Sequence, residues 1–306
     1  MDPDWVKYLD SSRRMAGGVP FIIRLSGNAH GLVVTPNITP DVETGIGSWT
    51  EDEIVEVLRT GKRKDGQVLF TFPPHSFYKD LALEDARSIA RYLKTLPPVK
   101  NRIISRQLPF EPQPMVPSPL EKAPQGRTRE RATYLMNALV GCKECHSHHK
   151  DGKLVEFAGG YSSDPFQGTF RLGPDLPLRQ TEKGFAAFPY PGFAVLYGNN
   201  LTEFGHGGKH EKVPVETLVR AIRGGISVER DEYGRPVPLG HVMMWPFYRS
   251  MSDKDAYALA EYLKTLNPIP NPIGPRRKYF GTDWEAAFKQ VFGEPPTPQD
   301  KAAFGK

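Results

Sequence analysis

Two cysteines and a histidine carry the most specific chemistry in this chain. Gly141-Cys142-Lys143-Glu144-Cys145-His146 holds the only two cysteines of 306 residues, separated by two positions and followed at once by histidine. Cys-x-x-Cys-His is the spacing of c-type haem attachment. On a short helical turn the two thiols can reach the two vinyl groups on one porphyrin edge, and the imidazole can then bind iron as proximal ligand. Three other readings use the same residues. A thioredoxin-like redox pair wants the cysteines after a strand in a βαβ context, and nothing upstream reads that way. A zinc site needs a second pair of ligands, for which His148, His149, His206 and His210 are available. A lone disulfide would close a tight, strained loop over two residues. The histidine directly after the pair, and the way the chain continues, favour covalent haem.

The elements that must position these residues come in two copies of one plan, residues 1–100 and roughly 128–272. Each copy has a Gly-Gly element, Met15-Ala16-Gly17-Gly18 and Phe157-Ala158-Gly159-Gly160. An Asn-apolar-Thr step follows, Asn37-Ile38-Thr39 and Asn200-Leu201-Thr202. Next comes an amphipathic helix, in which Ile54, Val55, Val57, Leu58, Arg59 and Gly61 recur 164 positions later as Leu218, Val219, Ala221, Ile222, Arg223 and Gly225. The endings match most closely. Phe77-Tyr78 and Tyr92-Leu93-Lys94-Thr95-Leu96 return 170 positions on as Phe247-Tyr248 and Tyr262-Leu263-Lys264-Thr265-Leu266. The six extra residues fall around Ser227–Pro238. Each last helix stops near a proline, Pro97 or Pro268.

Between the copies, residues 101–127 and the prolines just before them read as an extended, Pro-rich linker laid along the surface. A helix over Thr128–Val140, with Ala132, Leu135, Met136 and Leu139 on its apolar face, should pack on the last helix, Asp253–Lys264. Residues 273–306 form a C-terminal extension with a short amphipathic segment at Trp284–Phe292. With 39% hydrophobic residues, 30 prolines and 29 glycines, the chain can build packed cores joined by long ordered loops. The expected fold class is therefore mainly α. No run reaches the roughly 18–20 apolar residues of a membrane span. The opening Met1-Asp2-Pro3-Asp4 is not a signal peptide. Covalent haem belongs to extracytoplasmic compartments, so the numbering is read as that of a processed, truncated or mis-started chain. The net charge of +5 suits an acidic redox partner or an anionic surface, or solubility alone. Its basic residues are scattered and form no stripe for nucleic acid.

Residues 36–61, from Pro-Asn-Ile-Thr-Pro-Asp through Gly-Ile-Gly-Ser-Trp-Thr, resemble the class I c-type domains of bacterial two-haem cytochromes. They also resemble the cytochrome subunits of membrane-bound alcohol and gluconate dehydrogenases. The resemblance covers most of residues 10–272 and implies two tandem cytochrome c-like domains with long Pro/Gly-rich loops, at 1–100 and 128–272. It implies haem c on Cys142 and Cys145 with His146 as proximal ligand. In such domains the distal methionine stands five residues before the tyrosine that precedes the last helix, which is Met243, with Met244 as the close alternative. Both could instead be core filler. Trp245 and Tyr248 would pack along the haem, Tyr248 reaching a propionate, or serve as plain core aromatics. Gly173-Pro174-Asp175 resembles the loop whose proline carbonyl accepts the proximal imidazole N–H, although the repeat places Asn199-Asn200 at that point. His148 and His149 read as solvated loop residues, and His206, His210 and His241 as possible substitute ligands.

The first copy departs from the pattern. It has no cysteine, and the position five before Tyr78 is Pro73, in Phe72-Pro73-Pro74-His75. Loss of both ligand sets points to a structural or docking module. The other account is a haem motif upstream of Met1, with His75 or His30 as distal ligand. The expected function is one-electron relay through one covalent His/Met haem in the periplasm, between unidentified redox partner proteins, within or beside a respiratory or dehydrogenase complex. The alternative is a two-haem redox enzyme, peroxidase-like or thiosulfate-oxidising, or its cytochrome subunit. A third reading makes the cysteine pair a zinc or structural site in an interaction protein.

Overall fold

The computed structural model describes residues 11–18, 20–24, 30–70, 75–103, 106–151, 153–159, 169–172, 193–230, 233–239, 245–271, 277–281, 283, 285, 286, 288, 289 and 294–304. These are mostly helical, with short strands between. Helix α1 (Glu51–Thr60) begins in a capping box: the Thr50 hydroxyl accepts the Glu53 N–H and the Glu53 carboxylate accepts the Thr50 N–H. It ends at Gly61, whose φ of 77° lets the chain turn away. With α2 (Leu83–Lys94) it buries Ile54, Val55, Ala86, Ala90 and Leu93 against Trp49 and Leu81, the first core.

The next two helices are α3 (Arg129–Tyr134) and α4 (Cys142–His146). After them come α5 (Val215–Gly224), α6 (Trp245–Tyr248) and α7 (Asp253–Lys264). Gly225 at φ 65° closes α5 as Gly61 closes α1. Leu218 and Ile222 of α5 meet Leu259, Ala260 and Leu263 of α7 in a second core. The expected helix 128–140 is a composite, α3 followed by a π-helical turn, Leu135–Leu139. It packs on α7 as expected, with Leu135 and Met136 in the second core and the Arg131 guanidinium on Asp255 at 2.7 Å. Its other side was not foreseen: Tyr134 and Ala138 belong to the first core. The wider turn distributes side chains to two sides, which a 3.6-residue period does not anticipate.

Strands β1 (Pro20–Arg24), β2 (His30–Val34) and β3 (Arg106–Gln107) form an antiparallel sheet in that order, with Pro20 opposite Val34 and Arg24 opposite His30. The linker is thus partly a strand. It is stitched to the first copy by further bonds, Met115 N–H to Thr60, Leu83 N–H to Leu120 and Ser118 N–H to Lys79. Strands β4 (His148–Lys150) and β5 (Lys153–Val155) make a hairpin. Strands β6 (Thr169–Leu172) and β7 (Phe193–Tyr197) pair, as do β8 (Ile226–Arg230) and β9 (Pro236–Pro238). The six extra residues of the second copy lengthen that last hairpin, which the first copy begins with a single bridge between Lys62 and Val68. Strand β10 (Arg277–Gly281) completes a second three-stranded sheet with β7 in the middle, as β2 is in the first. Strands of two to five residues are too short to announce themselves by alternation.

The hydrogen bonds repeat as well. Ile38 N–H donates to the Met15 carbonyl and Leu201 N–H to the Phe157 carbonyl. Met15 and Phe157 hold φ of 64° and 60°, conformations that cost non-glycine residues about 1–3 kcal/mol and persist only when held from outside. Asn37 donates to the Val99 carbonyl at 2.7 Å, and Asn200 to the Ile269 carbonyl at 2.9 Å. Each asparagine's Oδ1 accepts both the N–H and the hydroxyl of the threonine two residues on, Thr39 or Thr202. Those hydroxyls accept the N–H of Val99 and Ile269. Of the C-terminal extension, Phe288 is fully buried and α8 (Pro298–Phe304) returns to the first copy, where buried Asp300 meets His30 at 2.9 Å. Trp284 and Phe292 lie outside the described residues.

Candidate haem attachment site

Helix α4 is a single turn, so Cys142, Cys145 and His146, spaced i, i+3 and i+4, stand on one side of it. Gly141 opens the turn at φ 63° and ψ 28°. A side chain there would be strained, and its Cβ would lie 2.2 Å from the Phe77 ring. The two thiols are not joined in a disulfide. Burial pushes the Cys142 thiol up to about 12, so at neutral pH it is not the thiolate that a redox-exchange pair needs. Among the described residues no three His, Cys, Asp or Glu side chains gather as a metal-binding group.

His146 is 9% exposed, and its Nδ1 lies 2.8 Å from the Asn199 carbonyl. A carbonyl only accepts, so Nδ1 carries the proton and Nε2 keeps its lone pair. Burial also pushes the imidazole pKa down and holds the ring neutral. A neutral ring with one nitrogen anchored to a backbone carbonyl is the form in which histidine ligates metals. The acceptor is therefore Asn199, where the repeat placed it, while Pro174 lies outside the described residues.

The Asn199 loop is held from several directions. Gly198 runs so close beneath α4 that a Cβ would sit 1.9 Å from the Cys145 carbonyl oxygen. Asn200, 4% exposed, fixes the loop to Ile269 and starts the 3-10 turn Leu201–Phe204. On the far side the His146 carbonyl accepts the Gly159 N–H at 2.7 Å, and the Ser147 hydroxyl accepts the Phe157 N–H at 3.0 Å. His148 is not a solvated loop residue: it is buried in β4 with Nδ1 2.8 Å from the Gly159 carbonyl. It is thereby committed to the fold, because the Gly-Gly element has to close over the end of α4. His206 is exposed and bonds Glu211, and His210 stacks on Phe204.

Tyr248 is half-buried, and its hydroxyl donates to the Val140 carbonyl at 2.8 Å, just before α4. Burial, then the neighbouring Cys142 and Cys145, push its phenol pKa up, so it stays protonated. Met243, Met244 and His241 lie outside the described residues, as does the side chain of Trp245. In the first copy the His75 Nε2 faces the Val57 carbonyl at 3.0 Å. Gly141, Gly198 and Phe77 escaped the sequence reading. A glycine directly before the motif is a weak signal of a left-handed start, and nothing in the sequence links Phe77 to it.

The donor set fits haem c: two thiols that are not bridged, on one helical turn, and a buried neutral imidazole whose other nitrogen is tied down. No family model matches the chain. Over 262 residues, 80% of this chain, it is 26% identical to the alcohol dehydrogenase (quinone) cytochrome c subunit of Gluconacetobacter polyoxogenes, covering 50% of that protein. Over 135 residues, 38% of the chain, it is 31% identical to the fructose dehydrogenase cytochrome subunit of Gluconobacter japonicus, covering 27% of it. A diheme cytochrome c-type protein of Cereibacter sphaeroides is 29% identical over 128 residues, 38% of this chain and 43% of that one. The chain spans half or less of the length of these relatives. By these matches and by its motifs, the chain is related to c-type cytochromes, among them proteins named as the cytochrome c subunits of alcohol, fructose and gluconate dehydrogenases.

Proposed function

We propose that this chain is an electron-transfer cytochrome that binds one haem c through Cys142 and Cys145 and relays single electrons. The observation that carries the reading is His146, buried, neutral and held by the Asn199 carbonyl beside two cysteines on the same turn. When bound, the haem supplies one-electron iron chemistry with no proton bookkeeping. Cys142 and Cys145 would tether it, so a carrier keeps its cofactor between partners. His146 would ligate iron through Nε2, and the hydrogen bond from its Nδ1 to Asn199 makes that nitrogen more basic. Met243 is the proposed distal ligand and Met244 the alternative, a sulfur donor that favours ferrous iron and raises the potential. If His146 and Met243 or Met244 both held the iron, the protein would leave no site for oxygen or peroxide, which would favour relay over catalysis. Trp245 would line the cofactor, whereas the Tyr248 hydroxyl already serves Val140.

The two copies are read as tandem cytochrome c-like domains, residues 1–100 and 128–272, joined by the stitched linker at 101–127. The recurring Asn-x-Thr clamp and matching sheets support that reading. The first copy is read as a structural and docking module, since residues 1–100 hold no cysteine. The chain's setting is read as extracytoplasmic because covalent haem attachment belongs there, and its partners as redox proteins of a dehydrogenase complex, since relatives are named as dehydrogenase cytochrome subunits. Among the described residues no helix is long and apolar enough to cross a membrane. A visible spectrum tests the function. A sharp α band on reduction that stays with the chain after denaturation is expected, with one iron per chain. Colourless protein, or zinc in place of iron, sinks the reading, and a high-spin ferric band that shifts with cyanide would favour an enzyme.

A further inference from the structure

The turn His75–Asp80 of the first copy is the counterpart of α6 in the second, 170 positions on. The two turns converge on the start of α4. From the second copy, the Tyr248 hydroxyl holds the Val140 carbonyl. From the first, the Phe77 ring lies against Gly141, its Cε2 and Cζ 2.2 and 2.3 Å from where a Cβ would stand. Phe77 is 7% exposed, and Tyr78 lies close enough to Tyr248 to help raise its pKa. The same junction is locked further along. The buried Tyr134 hydroxyl donates to Asp85 at 2.5 Å and accepts the Ala82 N–H at 3.2 Å, tying α3 to the start of α2.

We propose that Phe77 is a positioning residue for the haem site, so that the first copy forms one wall of the second copy's attachment corner. The inference rests on the function proposed above. Gly141 sets where the Cys142 thiol stands, and a glycine at φ 63° has no side chain of its own to define that corner. The Phe77 ring supplies the missing surface. Removing it frees the corner and opens a cavity beside α4 into which water can enter, and water stabilises the more highly charged ferric state. An ordinary core phenylalanine would give only a loss of stability.

The test uses the holoprotein with Phe77→Ala, Phe77→Leu and, as comparator, Ile54→Ala, which empties the first core under α1. Haem per chain, midpoint potential and thermal midpoint are measured for each. Phe77→Ala should lower haem attachment and move the potential down, about tenfold in the reduced-to-oxidised ratio at fixed potential, or 59 mV for one electron. Phe77→Leu should restore most of both. Ile54→Ala should lower the thermal midpoint and leave potential and loading as in wild type. If Phe77→Ala merely behaves like Ile54→Ala, the inference is overturned. Wild-type protein without haem would instead overturn the function on which it rests.

Discussion

The two copies hold themselves together with the same bonds and differ in what those bonds support. In the second, the Asn200 clamp carries Gly198 and Asn199 up against α4, where the Asn199 carbonyl takes the His146 proton. In the first, Asn37 makes the same clamp to Thr39 and Val99, with Pro36 and Thr35 in the places of Asn199 and Gly198. A cavity of about 120 Å³ lined by Pro36, Asn37, Ile38 and Trp49 stands beside it. In both copies the clamp is thus a set of backbone and side-chain bonds whose polar atoms find their partners within the protein.

That comparison can be broken most directly at the ligands. Replacing both Cys142 and Cys145 by serine should abolish haem that survives a denaturing gel, while circular dichroism should still show a folded first copy. Next in size is Gly198→Ala, whose Cβ would meet the Cys145 carbonyl at 1.9 Å. A cost of about 3 kcal/mol in chemical denaturation and a marked loss of haem loading are expected. The first copy already carries a branched side chain, Thr35, at the matching place.

The two clamps then make a matched pair. Asn37→Ala and Asn200→Ala each leave a buried carbonyl and threonine short of partners, at about 2 kcal/mol apiece. Only the Asn200 change should also move the midpoint potential, because only that loop holds His146. Equal potentials in both variants would show that the clamp does not reach the imidazole. The smallest effect is the pH dependence of His75, whose burial depresses its pKa. A histidine depressed in the folded state takes up a proton first in the unfolded chain, near pH 6.5. Its contribution is thus present above about pH 6.5 and is lost as pH falls from there towards the folded value. His75→Gln should flatten thermal stability against pH in that window.

Much of the architecture could be read from residue order alone. The helices α1, α2, α5 and α7, the prolines just past α2 and α7 and the cysteine-histidine spacing all rest on relations within a few positions, and these leave periodic or fixed-spacing traces. The composite helix after Thr128 was legible as helix but not as one buried on two sides. The sheets were not legible, since β3 and β10 are short strands supplied from beyond the last helix of each copy.

By itself the sequence determined the spacing of the two thiols and the histidine and which segments would be helical, because such spacing and helical period are local properties. Tertiary structure alone decided the rest. It chose Asn199 as the partner of His146, 53 positions away, buried His148, packed Gly198 and Gly141 too closely against their neighbours for a side chain, and brought Phe77 against the attachment corner. Each of these depends on close approach between segments distant in the chain, and a distance across a fold leaves no mark on the order of its residues.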